Sequence, residues 1–375
     1  MDKQRIKMSD IVIGQPLPWN VFDADNKLLL RKGFVVATEG QIDKLIEQGL
    51  FVEGQAKKDA EAPPPKDLPS ALRHINRAAR NLEKLVLSLS NETDAPSQFR
   101  EIAAEIGQGL HINADVCVAS ILLNQGSASL PVRHSLNVAI LCHQVARAMA
   151  CPDEEVAAVV AAALTMNLGL IPHQKRLLRI PGNLSQEDAL IVRNHPLRSV
   201  EMLKQIGVDD AHWLACVAAH HESEDGSGYP AKSLGADIAV GAKILSTVER
   251  YCIRVSAGEP ASLLAHNAAF RDMLAKEKTH VDAKVAGALF KELGTYPMGS
   301  FVRLEGGEVA IVSAKGDAPA TPVVHELVGR GNAPRTFPIQ RNTALKAYHI
   351  QEMIRMDQVN FRFSMQQVWG DDAAA

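Results

Sequence analysis

The sequence predicts a mainly α-helical protein with a small α+β unit at its N-terminus and a short β extension at its C-terminus. Three observations carry that prediction. Between residues 71 and 293 the apolar residues recur at helical spacing. Strand-like runs are confined to the first 54 residues and to the stretch from about residue 296 onward. A charged, proline-rich segment over 55–70, QAKKDAEAPPPKDLPS, has no apolar periodicity and reads as a solvated linker. The expected organisation is therefore 1–54, a linker over 55–70, a helical domain over 71–295, and a β-hairpin with a tail over 296–375.

Composition narrows the function. The 375 residues are enough for more than one domain, and a net charge of -3 provides no polyanion-binding surface. A nucleic-acid polymer is thus not an expected partner, and any nucleotide must sit in a local site. Cys117, Cys142, Cys151, Cys216 and Cys252 are odd in number, lie mostly in apolar runs and lack CxxC spacing, which suits reduced core residues. The first ten residues lack an apolar signal core, and no run reaches the ~20 apolar residues of a membrane span. A cytoplasmic protein without a membrane segment is expected.

In chain order, residues 6–54 offer a short β run, a turn at Asp23 to Asn26, a second β run, Gly33, a helix opened by Thr38, and a last strand after Gly49. No catalytic constellation occurs there, so interaction or dimerisation is its default role. Helices follow, with Leu72, Ile75, Ala78, Leu82 and Leu85 on one face, then Ile102, Ile106 and Leu110, then Val116, Val118, Ile121 and Leu122. In RHSLNVAILCHQVARAM, His134, Val138, Leu141 and Val145 share a face by i, i+4, i+7 and i+11 spacing. Beyond Leu293, GTYPMGSFVRLEGGEVAIVSA reads as a hairpin turning at Glu305-Gly306-Gly307, and residues 331–375 as short strand pieces with an Ala-rich, frayed end.

The chemistry concentrates in one string, LACVAAHHESEDGSGYPAK over 214–232. An apolar run delivers His220 and His221 into a cluster of acids and then a glycine-rich turn closed by Tyr229-Pro230. Adjacent helical histidines diverge by about 100°, so the pair can serve two ions, or one ion and one phosphate. A helix terminus with a histidine near its C-terminal dipole is the plainer alternative.

The string HHESEDGSGYP resembles the signature of HD-GYP domains, bacterial metal-dependent phosphohydrolases whose family activity is hydrolysis of cyclic di-GMP. RHSLNVA resembles the family's first-histidine motif and assigns His134 to it. The resemblance implies an HD-superfamily helical bundle, preceded by the small N-terminal domain that often accompanies it. The family's His-Asp pair, however, falls on Met166 and Asn167 in AALTMNLGL, and the lysine that follows falls on Leu170. Gly169 keeps its place, and Pro181-Gly182, Leu184 and Glu187 fit the family's next run, so the register needs no gap.

Downstream, His195 falls at the next metal ligand, His220 and His221 follow, and the last ligand, an Asp in the family, is Glu249. The family's phosphate-contacting segment corresponds to VSAGEPAS, where Gly258 to Ser262 supply no cation and Glu259 would repel a phosphate. Arg250 and Arg254 lie near it. Leu130 stands where a third metal would need a carboxylate.

The resemblance thus implies one divalent transition metal, iron, manganese or zinc, on His195, His220 and His221 with His134 and Glu249 as further donors, or else no metal. Asp225, Gly226, Gly228, Tyr229 and Pro230 form the implied substrate or interaction loop. Met166, Asn167 and Leu170 imply an impaired enzyme of cyclic di-GMP signalling that acts by nucleotide sensing or protein contact, as an oligomer or with a protein partner. A phosphodiesterase on a residual one-metal site is the alternative, and a scaffold without nucleotide a third.

Overall fold

The computed structural model describes residues 69–177, 184–256, 279–355, 358–359 and 363–375, together with parts of the first 52. In the N-terminal unit, β1 (Lys3–Arg5), β2 (Val21–Phe22), β3 (Leu28–Leu30) and β4 (Leu50–Val52) form an antiparallel sheet in the order β1-β4-β2-β3. Ile11, Leu17, Trp19, Val21, Leu30 and Val36 make a small core of its own. The expected turn at Asp23 to Asn26 and the start of the helix at Thr38 lie outside the described residues.

The helical domain begins with α1 (Ala71–Ser88), whose first turn is capped by the Ser70 hydroxyl accepting from the Arg73 N–H at 3.3 Å. α2 (Ala95–Leu123) starts on Asp94 with Pro96 in the first turn, where a missing N–H does no harm. It kinks at Asn113 (φ -157, ψ 101), because that side chain accepts from the Val116 N–H at 3.1 Å and caps the second half as a new helix. α3 (Leu130–Ala148) and α4 (Asp153–Thr165) follow, and α4 opens on three acidic residues that suit its positive end.

A 3₁₀ stretch, Leu168–His173, leads by a short helical turn and residues outside the described set to α5 (Gln186–Gln205). Next come α6 (Ala211–Ala219), capped by Asp210, then α7 (Val240–Ser256) and α8 (Ala283–Leu293), capped by Asp282. The wholly buried Trp213 donates its indole N–H to Thr165 Oγ1 at 2.8 Å, so that α6 is keyed to the end of α4. The fold is mainly α, as the periodicity predicts.

The C-terminal part is larger than a hairpin with a tail. β5 (Phe301–Leu304), β6 (Val309–Ala314), β7 (Val323–Val328), β8 (Pro334–Asn342) and β9 (Ile350–Ile354) form an antiparallel sheet ordered β8-β7-β6-β5-β9. Val302, Ala310, Val312, Val324 and Met353 share the helical core, while Phe301, Ile311, Leu327 and Ile354 form a second cluster with Val368 of α9 (Met365–Trp369). Nor is the Ala-rich end frayed. Ser70 donates toward the Asp372 and Ala374 carbonyls, Asn113 Nδ2 donates to Asp372 Oδ2 at 2.8 Å, and Ala373 is buried. The end is held by polar groups some 300 residues earlier, which local composition cannot reveal.

Contrary to the expectation from sequence, two helical stretches, Ala95–Leu123 and Asp153–His173, are long and apolar enough by composition to cross a membrane. Just over half of the first apolar window and two thirds of the second are buried inside the protein, as in core helices.

Candidate functional site

Four helices converge on the histidines. His195 lies mid-way along α5, whose contact with the 3₁₀ stretch after α4 depends on Gly169: a Cβ there would sit 2.8 Å from the His195 carbonyl oxygen and 3.1 Å from the Ser199 nitrogen. Ser199, one turn after His195, closes this contact by donating to the Met166 carbonyl at 2.7 Å and accepting from the Gly169 N–H at 2.9 Å. Gly169 is therefore needed for backbone proximity whatever becomes of the metal-binding pair beside it. His220 and His221 leave the C-terminus of α6, Glu249 comes from α7, and His134 from the first turns of α3.

The geometry inside is specific. His195 Nδ1 lies 2.6 Å from the Val192 carbonyl and His220 Nδ1 lies 2.7 Å from the Val217 carbonyl, so each Nδ1 carries the proton and donates it. That leaves the two Nε2 atoms as acceptors, and they face one another at 3.0 Å. Burial, followed by repulsion from His220, pushes the His195 imidazole down to about 4, so His195 is neutral at neutral pH. Two lone pairs in that position call for a cation. Glu249 Oε2 is fully buried without a hydrogen-bond partner, 3.9 Å from His220 Nε2 and 3.7 Å from His221 Nδ1.

Burial pushes His221 down as well, to about 3, against the pull of Glu249. Its ring stacks on Tyr229, centroids 4.7 Å apart, and the Tyr229 N–H donates to the His221 carbonyl at 3.1 Å. Burial alone would raise the Glu249 carboxyl, but His221, His220 and His134 hold it below the usual carboxylate range, so it stays an anion.

These donors fit a single transition metal. Ligand atoms of His195, His220 and His221 lie within 4.8 Å of one another, with carbonyl-oriented imidazoles and one orphaned carboxylate oxygen alongside. They do not fit a second ion equally well. His134 Nε2 is 4.0 Å from Glu249 Oε1, but Met166 is a wholly buried thioether and Asn167 a neutral amide. Leu170, where the family has a cation, supplies none.

The Gly-rich loop is built as a rigid lip. The Glu222 carboxylate, which follows the histidines in sequence, accepts from the Ala231 N–H at 2.7 Å and the Ser233 N–H at 3.0 Å, so it braces the loop and is not a ligand. Gly228 is required, since a Cβ would lie 2.5 Å from Glu222 Cα. Asp225 accepts from the Ser227 hydroxyl at 2.6 Å and the Ser227 N–H at 3.0 Å, which together hold its carboxyl at about 2. Gly226 takes φ +74 and Tyr229-Pro230 is cis. Arg250 donates to Ser223 Oγ at 2.9 Å and Ser246 Oγ at 3.3 Å, and Arg254 to the Arg250 carbonyl at 2.9 Å. Both are thus tied inside the fold. Gly258 to Ser262, with Glu259, and Pro181-Gly182 lie outside the described residues.

Two features of the site could not be foreseen from the string: the opposed Nε2 atoms and the orphaned Glu249 oxygen. Each depends on how α5, α6 and α7 meet.

Comparison with known proteins agrees. A family model described as an HD domain matches residues 127–285, a span that contains all five candidate donors. The chain is 25% identical to the cyclic di-GMP phosphodiesterase PA4108 of Pseudomonas aeruginosa over 77% of this chain and 76% of that protein. It is 24% identical to the cyclic di-GMP phosphodiesterase response regulator RpfG of Xanthomonas campestris over 58% of this chain, and spans only 53% of that relative. A solved HDG"Y"P protein, Bd1817 of Bdellovibrio bacteriovorus, aligns with 77% of this chain at 15% identity and a TM-score of 0.49. With the HD-domain match running through every histidine that HHESEDGSGYP and RHSLNVA point to, and with cyclic di-GMP phosphodiesterases among its relatives, this chain carries an HD domain and is similar to HD-GYP proteins.

Proposed function

We propose that this protein is a catalytically impaired member of its family that takes part in cyclic di-GMP signalling as a nucleotide-sensing or protein-contacting module, with one divalent metal on His195, His220 and His221 and Glu249 beside them. The observation that carries the reading is the replacement of the metal-binding His-Asp pair by Met166 and Asn167 in an otherwise intact frame. Gly169 and Ser199 still hold that segment against α5, and the loop from Asp225 to Pro230 is still braced by Glu222. A bound divalent ion would act as Lewis acid toward a phosphoryl oxygen and lower the pKa of a bound water. The chain's own residues contribute orientation: Val192 and Val217 carbonyls fix the imidazoles, and Tyr229 packs on His221.

Losing one well-placed electrostatic stabiliser typically costs ~10²–10³ in rate, and here the bridging carboxylate, its histidine neighbour and a nearby cation are absent together. Hydrolysis of cyclic di-GMP is therefore expected to be absent or at least ~100-fold below that of an intact relative. The test is a turnover assay with metal-loaded protein beside Met166→His/Asn167→Asp. The double variant should gain metal before it gains activity. If the unaltered chain hydrolyses cyclic di-GMP at a rate typical of its family and His220→Ala abolishes it, the one-metal phosphodiesterase replaces this reading.

A further inference from the structure

The C-terminal sheet carries a second concentration of charge that the metal site does not use. Two glutamates are buried at its β8 side, Glu326 on β7 and Glu308 at the start of β6, and neither is near the histidines in the chain. Glu326 is gripped from both sides by arginines of one strand. Arg335 Nε donates to Oε1 at 2.6 Å, with Nη2 on the same oxygen, and Arg341 donates Nε at 2.9 Å and Nη2 at 2.8 Å to Oε2. Glu308 Oε1 accepts from Arg330 Nε at 2.7 Å. The clusters adjoin, since Gly329, the neighbour of Arg330, lies against the Arg335 guanidinium, and against the effect of burial the Glu308 carboxyl is held low by Arg330 and, more weakly, by Arg341. Arg341 also lies over the Tyr348 ring, 4.8 Å from its centroid.

Three guanidinium groups thus face two carboxylates, and the excess is positive. Each carboxylate fixes its arginines through the Nε side of the guanidinium, which leaves the Nη1 edges of Arg335 and Arg341 out of these pairs. The backbone has been cleared for them. A Cβ at Gly329 would lie 2.8 Å from Arg335 Cζ, and one at Gly306 would meet the Glu308 carboxylate first and lie 2.8 Å from Arg330 Nη2. Arg330 is 70% exposed although its partner Glu308 is buried, so its outer edge faces solvent. Buried carboxylates that position exposed arginines make a preorganised anion receptor, because the side-chain entropy of the arginines is lost on folding and not on binding.

We propose that Arg330, Arg335 and Arg341, held by Glu308 and Glu326, form a binding site for a phosphate-bearing small molecule on the C-terminal sheet, apart from the histidine cluster. The planar guanidinium edges match phosphate oxygens two at a time, and the net charge of the whole chain argues against a nucleic-acid polymer as the occupant.

Isothermal titration of the full chain with inorganic phosphate, pyrophosphate and cyclic di-GMP, at low salt and at 0.15 M salt, tests this. Saturable binding of at least one of the three is expected, weakened about tenfold by Arg330→Gln, which keeps a donor for Glu308, and unaffected by Arg303→Gln, whose pairing with Glu352 lies on the β5–β9 side of the sheet. The phosphate and nucleotide arms distinguish a bare phosphate site from one that also reads the rest of the ligand. If Arg330→Gln fails to fold by circular dichroism, Arg341→Lys carries the test. It keeps the charge against Glu326 and removes the second donor edge, and it too should weaken binding. The proposal is overturned if no probe binds saturably up to millimolar concentration, if the foldable variant binds as the unaltered chain does, or if Arg303→Gln weakens binding as much as the arginine variant does. The inorganic phosphate and pyrophosphate titrations use chelator-treated protein, so they do not report on an ion at the histidines, and failure of the nucleotide reading at that site leaves them unchanged.

Discussion

The opposed imidazoles give the sharpest prediction. His220→Asn keeps an N–H close to the place of His220 Nδ1, for the Val217 carbonyl, and removes the Nε2 that faces His195 at 3.0 Å. In the unaltered chain, a divalent ion present at a hundred times its dissociation constant stabilises the folded state by about 2.7 kcal/mol. For a domain of this size that corresponds to a rise in Tm of roughly 5–10 °C. Loss of one of three nitrogen donors should weaken affinity at least as much as loss of an outer hydrogen bond, up to ~100-fold. At the same ion concentration the stabilisation then falls to about 0.4 kcal/mol, a shift of roughly 1–2 °C. Thermal unfolding of chelator-treated protein, with and without manganese, iron(II) or zinc, measures this, and elemental analysis of the loaded protein should give one ion per chain. A metal-dependent shift that survives His220→Asn undiminished, or two stoichiometric ions, would refute the reasoning.

Three further outcomes follow from the geometry. Gly169→Ala places a methyl against the His195 and Ser199 backbone, so it should destabilise the chain by roughly 1–3 kcal/mol and reduce metal content, as read by urea unfolding and elemental analysis. Asp225 is held at about 2 by Ser227, below its unfolded value, so its contribution to loop stability is present above ~pH 4 and lost as pH falls toward 2. Ser227→Ala should raise the Asp225 pKa toward the ordinary value, which a carboxyl-carbon NMR titration would show. Removal of residues 1–60 should leave the helical domain folded, whereas removal of 296–375 should unfold it by circular dichroism, because Val302, Ala310, Val312 and Val324 belong to the helical core.

What was legible in the sequence is what is local. Helical spacing identified the buried faces, and His220, His221 and the loop through Pro230 stood out because eleven consecutive residues carry one pattern. Asn113 escaped notice because one capping side chain in a helical run leaves the apolar periodicity unbroken. The five-stranded sheet escaped because β8 alternates little between buried and exposed positions, and periodicity is the signal a strand must give. Ser70, at the end of what reads as linker, is buried by the C-terminus, a contact across 302 and 304 residues.

The proposed count of one metal ion rests on charge. Two divalent ions about 4 Å apart repel by roughly 17 kcal/mol even at an effective dielectric constant near 20, so a dinuclear site must place anions against both. Among the described residues that approach these histidines, Glu249 is the carboxylate in reach, with His134 and His221 on either side of it. Asn167 is neutral, so its amide oxygen can approach an ion without offsetting any of that repulsion, and Met166 adds a soft donor with no charge. The ion on the His134 side is the one stripped of both its partners. The ion on the His195, His220 and His221 side keeps three oriented nitrogens and a buried anion, and it is the one that the fold can retain.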